Sequence, residues 1–355
     1  MEAKTLFRSV SRVRSALRFT LSLALAAAIV PLPGCAPDAE GTDQTPPGEM
    51  PGQPPDPTGM MKPPVDDPDA IRLTLGTVML RPGEERTVCV TRRLSLPAAV
   101  NIVKIATRQQ HSHHVIIYRH TSGTPTLNDT PKGCTPLNLL SGGSIKVPLF
   151  IGESADDSQN QIQLPPNVAY HVEASDYYTI EAHLLNAAPT LASASAEVIL
   201  TPTRQTAGLQ YADMLFFNNT RGLTKNYDGK ASGLPPGQKT TVDPVFSTVN
   251  EQLKVFGLAT HQHRFGTGIA VSQSSGAADP GTHLFTNTDW SHPPLFRLPD
   301  DKPLLFQKGQ GLRWVCSYDN TSSAYVKFGQ SADTDEMCII WGYYYPSIGL
   351  QLYWN

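Results

Sequence analysis

The chain has 355 residues, enough for two domains of ordinary size plus extra segments, and an apolar fraction of 40% that suffices for packed cores. A chain disordered throughout is therefore excluded. The formal net charge of -3 comes without a basic stripe, which removes the electrostatic footprint of a nucleic-acid binder.

Residues 1–34 read as a signal peptide. Lys4, Arg8, Arg12, Arg14 and Arg18 precede an apolar run from Phe19 to Val30 that is too short to span a bilayer. The run ends at Leu32-Pro33-Gly34-Cys35, which resembles the bacterial lipobox. That resemblance implies a lipid on Cys35 and a protein anchored in a bacterial cell envelope, on its periplasmic or outer-surface face. An ordinary signal peptide and a secreted chain are the alternative. From Cys35 to Asp69 there are ten of the chain's 31 prolines and eight acidic residues against the single base Lys62. Such a segment cannot bury enough apolar surface to offset its ordering entropy, so residues 35–70 are expected to be a disordered tether.

Beyond Cys35, four cysteines remain for an oxidising compartment: Cys89, Cys134, Cys316 and Cys338. Four allow three pairings, and two in each half favours Cys89 with Cys134 and Cys316 with Cys338. No spacing matches a zinc Cys-x-x-Cys site.

From Ile71 onward, short runs rich in Val, Ile, Thr, Phe and Tyr alternate with Pro, Gly, Asn and Ser clusters, and no stretch keeps a helical apolar period. The expected class is all-β. Candidate strands cover residues 86–90, 100–106, 114–118, 179–185 and 197–200, then, after a break at Pro202-Thr203-Arg204, residues 212–217, 240–245, 253–263, 268–272, 312–318, 325–328 and 338–345. Two consecutive jelly-roll-like β-sandwiches follow, residues 71–202 and 203–355.

All ten histidines come after residue 110. His111, His113 and His114 open an apolar strand, His183 follows Tyr178-Thr179-Ile180-Glu181-Ala182, and Leu253 to His263 ends in two histidines one residue apart. In an extended strand His261 and His263 share a face with Val255, Gly257 and Ala259, and two imidazoles on one face can share a metal. The adjacent pair His113 and His114 would face opposite sides of a regular sheet. Both reach one metal only at a strand end or bulge. His111, His120, His171, His283 and His292 read as surface or satisfied core residues, His111 also as a partner behind a ligand. No dinucleotide fingerprint or nucleophile elbow is present, since Gly266-Thr267-Gly268 is followed by Val271 where a third glycine is needed.

In order, the chain shows His-His before a strand, Ala-His later in the same half, Thr-His-x-His in the next, then Cys316 and Asp335-Glu336-Met337-Cys338. This order resembles the copper type II, ascorbate-dependent monooxygenases, the family of the peptidylglycine hydroxylating enzyme and dopamine β-monooxygenase. Leu164-Pro165-Pro166-Asn167-Val168 before His183, Leu234-Pro235-Pro236-Gly237-Gln238, and Gly309 to Cys316 ahead of Met337 fit the same pattern. The resemblance implies two coppers per chain, one on His113, His114 and His183 and one on the catalytic set His261, His263 and Met337. It also implies a Cys316–Cys338 disulfide, O2 as oxidant, and ascorbate or another reductant as electron donor. Two imidazoles with a soft thioether suit copper better than zinc or a hard cation.

The peptide-amidating members hold a carboxylate with an arginine, an asparagine and a tyrosine where this chain has Ala259, Ile339 and Trp341. Loss of those donors predicts a small-molecule substrate that is not a peptide carboxylate. The other expectation is a copper-binding lipoprotein that stores or delivers the metal without oxidising anything. Neither reading fixes an oligomeric state.

Overall fold

The computed structural model describes residues 68–141, 143–153 and 160–354. The signal segment, Cys35 and the tether up to residue 67 lie outside the described residues. The first half contributes β1 (Ile71–Leu80), β2 (Glu85–Arg93), β3 (Val100–Gln110), β4 (Ser112–Ser122), β5 (Asn128–Gly133), β6 (Leu140–Ser141), β7 (Ser144–Gly152), β8 (Gln161–Gln163), β9 (Val168–Val172), β10 (Tyr177–Leu185), β11 (Ala192–Thr203) and β12 (Gln210–Tyr211). The second contributes β13 (Asp213–Asn218), a one-turn helix α1 (Arg221–Thr224), β14 (Gln238–Thr241), β15 (Val245–Thr248), β16 (Leu253–His261), β17 (Gly266–Ser274), β18 (Thr282–Asn287), β19 (Phe296–Arg297), β20 (Leu304–Phe306), β21 (Gly311–Asn320), β22 (Ile339–Tyr345) and β23 (Gln351–Trp354).

The fold is all-β, in four sheets. The N-terminal pair has the strand orders β1-β11-β3-β9-β12, with β8 also on β3, and β5-β2-β10-β4-β7-β6. In the C-terminal pair they are β19-β16-β22-β13-β23, with β20 also on β16, and β14-β21-β17-β18, with β15 also on β21. The sheets change over between Tyr211 and Asp213, later than the Pro202-Thr203-Arg204 sequence suggests. Pro202 is accommodated inside β11 because the ladder to β3 shifts register at Thr201/Pro202, a place where a missing N–H is tolerated. The run expected at 240–245 is split between β14 and β15, and residues 325–328 make only isolated bridges.

The sheet carrying β16, β22 and β13 is buried on both faces. Along β22, Ile340 and Tyr344 join one apolar cluster with Trp314 and Val271, while Ile339, Trp341, Tyr343 and Tyr345 join the other, with residues of the N-terminal sandwich. Alternation along the strand thus serves two cores at once. Phe150 stacks on Tyr343 at 6.1 Å between ring centroids, and the Ile151 N–H donates to Tyr343 Oη at 3.3 Å. The unbroken apolar runs Val115 to Tyr118 and Val147 to Ile151 have the same cause: both faces of β4 and β7 are covered.

Disulfides join Cys89 to Cys134 and Cys316 to Cys338, as the distribution of cysteines favours. The second ties β21 to the residue after Met337.

Behind β10, His120 is buried with Nδ1 2.8 Å from Ser144 Oγ and Nε2 2.8 Å from Thr179 Oγ1, a satisfied core histidine. Burial, then the charge of Lys146, pulls its pKa from 6.5 to about 4. The unfolded chain therefore takes up the proton first, and stability is lost as pH falls from 6.5 through about 4, with no further loss from this group below that. Urea unfolding should show the wild type losing more stability than His120→Gln across that window. A difference between the two that is constant with pH would contradict this.

Candidate metal centre

Three strand ends and one loop bring the five expected histidines together. On β4 the ladder to β10 pairs His183 with His114 and Leu184 with Ser112, leaving His113 as the extra residue of a bulge. The bulge turns two neighbouring imidazoles toward one region, with ring centroids 5.6 Å apart. His183, opposite His114, is 5.1 Å from it and 5.6 Å from His113. His111, just before the strand, has φ 52°, a left-handed turn that sets the entry to the bulge.

On the other sandwich, β16 ends at His261. Its ladder to β22 shifts register between Val255 and Gly257, so Val255 lies in the core shared with Trp314, opposite Ala259. The expected common face therefore begins only after the bulge. His263 lies beyond the strand, yet its ring is 5.0 Å from that of His261.

The two groups meet. His113 is 5.4 Å from His261 and 6.1 Å from His263, and His114 is 5.8 Å from His261. His113, His261 and His263 each offer a ring nitrogen, the three atoms lying within 4.8 Å of one another. All five imidazoles thus form one contiguous nest, whereas the family resemblance divides them between two sites.

The backbone of Met337, the remaining expected ligand, is fixed. Glu336, fully buried, accepts the N–H groups of His263 (2.9 Å), Phe265 (2.8 Å) and Met337 (3.1 Å). Tyr318 Oη donates to the Met337 carbonyl at 2.8 Å, and the Cys316–Cys338 bridge holds the next residue. Met337 itself is 2% exposed, in the apolar layer between the sandwiches with Ala259, Ile339 and Trp341.

Carboxylates not singled out from the sequence orient the rings. His183 Nε2 is 2.8 Å from Glu85 Oε1, and Glu85 also accepts the Ala332 N–H at 2.9 Å and the Ser331 hydroxyl at 3.1 Å, from the loop before Met337. His261 Nδ1 is in ion-pair contact with Glu153 Oε1 at 2.8 Å, at an angle outside good hydrogen-bond geometry. His263 Nδ1 donates to the Asp335 carbonyl at 3.1 Å. Such partners fix ring orientation and tautomer behind metal-binding histidines. Nothing in the local sequence marks them, because each partner is distant along the chain.

Burial, followed by the charges of neighbouring imidazoles, pulls His113 down to about 3 and takes His114 and His263 well below 6.5. These rings are neutral, with lone pairs free. For His261 burial also acts downward, but Glu153 and Glu336 reverse it and raise the pKa. The bond to His183 lowers Glu85 to about 2. Burial pushes Glu336 up to about 7, against the pull of the three N–H groups it accepts.

A cavity of about 910 Å³ opens onto the nest, lined by Glu85, His113, Glu153, Arg264, Trp290 and His292 among others. Trp290 stands 6.4 Å from the His113 ring. Asp289 accepts from the N–H and hydroxyl of Ser291 and from the His292 N–H, which fixes the turn presenting Trp290. His111 and His292, both exposed as the surface reading expects, line the mouth of this cavity.

Residues 226–353 match the family model described as copper type II ascorbate-dependent monooxygenase, C-terminal domain. The match contains His261, His263 and Met337. Over 126 residues the chain is 30% identical to tyramine beta-hydroxylase of Caenorhabditis briggsae, covering 33% of this chain and 21% of that protein. Both findings support that family. The chain spans about a fifth of the length of the curated relative it matches. Among solved structures, N-glycanase F (PNGase F) aligns over 78% of this chain and 94% of its own with 9% identity and a TM-score of 0.28. The PBSX exported protein XepA aligns over 72% and 88% with 10% identity and a TM-score of 0.18. Likenesses this loose bear on no functional assignment.

Glu336→Gln sets an amide N–H₂ against backbone N–H groups at a fully buried position. The variant should lose about 2 kcal/mol of stability, and metal affinity of the His261 and His263 pair should fall about tenfold or more. Urea unfolding of the metal-free protein and a copper titration measure the two effects. An unchanged midpoint together with unchanged affinity would remove Glu336 from its orienting role.

Proposed function

We propose that this chain is a copper-dependent monooxygenase that hydroxylates an activated C–H bond using O2 and two electrons from ascorbate or a similar reductant. The observation that carries the reading is the nest itself. His113 Nε2 and both ring nitrogens of His114 are buried without a hydrogen-bond partner. Buried polar atoms are costly to leave unpaired, and a metal satisfies several lone pairs at once. Imidazoles with a thioether fit copper, so the donor set agrees with the family match over the C-terminal half.

In this reading two coppers bind per chain, one held by His113, His114 and His183 and the other by His261, His263 and Met337. Bound copper supplies one-electron redox chemistry and O2 activation; the protein supplies position. Glu85 and Glu153 orient His183 and His261, and Glu336 holds His263 and Met337 in one frame. Trp290 covers one side of the cavity leading to the nest.

The substrate in this reading is a small molecule without a carboxylate anchor. Arg264 is the sole arginine among the described residues lining the cavity, and it is already paired with Asp333. Ala259, Ile339 and Trp341 are packed in the layer between the sandwiches, so they offer no donor to the cavity. The same missing clamp motivates the second reading, a copper-storing or delivering protein. We also propose the envelope address, with a lipid on Cys35; the two disulfides suit an oxidising compartment.

Reconstitution of the metal-free protein with Cu(I) should give two coppers per chain and ascorbate-dependent O2 consumption coupled to a hydroxylated small molecule. Met337→Ala and His261→Ala should each abolish turnover. Copper uptake with no coupled oxidation across a panel of uncharged aromatic and aliphatic compounds would favour storage; no copper uptake would sink both readings. Turnover of a glycine-extended peptide would overturn the substrate assignment.

A further inference from the structure

We infer that His113, His261 and His263 form a three-imidazole metal site spanning the two sandwiches, which takes the first ion the protein binds. The inference rests on the reading of the nest as a copper centre, and changes how its ligands are grouped. The three rings come from a bulge on the N-terminal sandwich and the end of β16 on the other, and their ring nitrogens lie within 4.8 Å of one another. At that limit the centre of the triangle is about 2.8 Å from each nitrogen, so the rings need close in by only about 0.7 Å to reach the usual metal–imidazole distance of about 2.1 Å.

The rings are prepared for it. Asp335 accepts the Nδ1 proton of His263, which leaves its Nε2 as the free lone pair, and Nδ1 of His261 lies 2.8 Å from Glu153 Oε1. His113 Nε2 is buried with nothing else to bind. The apposition does not depend on the ion, because protein contacts already hold the halves around it. Glu85 of the N-terminal sandwich binds the Ser331 hydroxyl and Ala332 N–H of the other, Glu153 reaches His261 across the same boundary, and Tyr343 packs on Phe150 below.

His113 serves this site or a set with His114 and His183, not both at once. At one metal equivalent the ion bridges halves that protein contacts already hold together. A second ion gains its full three-histidine set only when His113 is released, so the two sets compete for one ring. Copper is the resident ion in the proposed function, but three neutral imidazoles also accept Zn(II). Zinc provides a redox-silent probe.

The test is a titration of the metal-free full chain with Zn(II) against a competing chelator dye, and separately with Cu(I). In the wild type the first equivalent binds tightly. His113→Ala and His261→Ala should each weaken that first equivalent by about 100-fold or more, although they lie on different sandwiches. If either variant leaves the first equivalent within about twofold of wild type, one sandwich alone holds the ion and the inference fails. Circular dichroism checks that each variant folds. Should one not fold, histidine ring 15N NMR of the wild type decides, since one equivalent of zinc should shift ring nitrogens on both sandwiches, and shifts confined to one sandwich overturn the proposal. A wild type that binds neither ion defeats the copper reading itself, whereas tight binding that needs only one of the two histidines defeats this inference alone.

Discussion

The constraint on which the rest depends is that one sheet is buried on both faces. β22 and its neighbours β16 and β13 present one row of side chains to the C-terminal core and the other to the N-terminal sandwich. Sheet faces covered in this way admit little besides apolar and aromatic residues, as in Ile339 to Tyr345, every one of them buried. Where the layer gives out, at the end of β16 and the start of β4, the same close approach delivers imidazoles from both sides into one small volume. The histidine nest is thus a product of how the apolar layer terminates.

Termination of that kind leaves polar atoms buried, and the surrounding chain is arranged to manage it. Glu336 is the clearest case. A carboxylate buried alone would be very costly, but both its oxygens are occupied by backbone N–H groups, and these belong to His263, Phe265 and Met337. One buried side chain thereby fixes two of the expected ligand positions, which are 74 residues apart by number, in a single rigid frame. Glu85 does the corresponding work between the sandwiches, since its two oxygens are shared between His183 and the loop at Ser331 and Ala332. Nε2 of His113 and both ring nitrogens of His114 are buried without a hydrogen-bond partner, as is Nδ1 of His261.

Much of this was legible in sequence. The β class followed from short alternating runs, and the disulfide pairs from the distribution of cysteines between the halves. The need for a bulge at His113 and His114 followed from the two-residue period of a strand, and the bulge is there. What local patterning missed was each place where long-range pairing overrides it. Val255 is assigned to the wrong face by strict alternation because of a register shift that nothing in Leu253 to His263 announces. Pro202 reads as a boundary until the shift beside it in β11 is seen. The orienting acids are invisible for the same reason: Glu85 and His183 are separated by 98 residues, Glu336 and His263 by 73.

Ala259, Ile339 and Trp341, the positions at which the peptide-amidating enzymes carry a carboxylate clamp, take on a further physical meaning in the fold. Exchange of charged and polar groups for apolar ones removes a carboxylate clamp, and would leave an open apolar surface if the sandwiches stood apart. In this structure these residues are instead the seam, each no more than 4% exposed. An arginine at position 259 would have to be desolvated against that layer, at a cost of several kcal/mol unless paired. Apolar side chains at these three positions let the layer pack without a buried charge, and the close approach of His113 to His261 and His263 lies where that same layer ends.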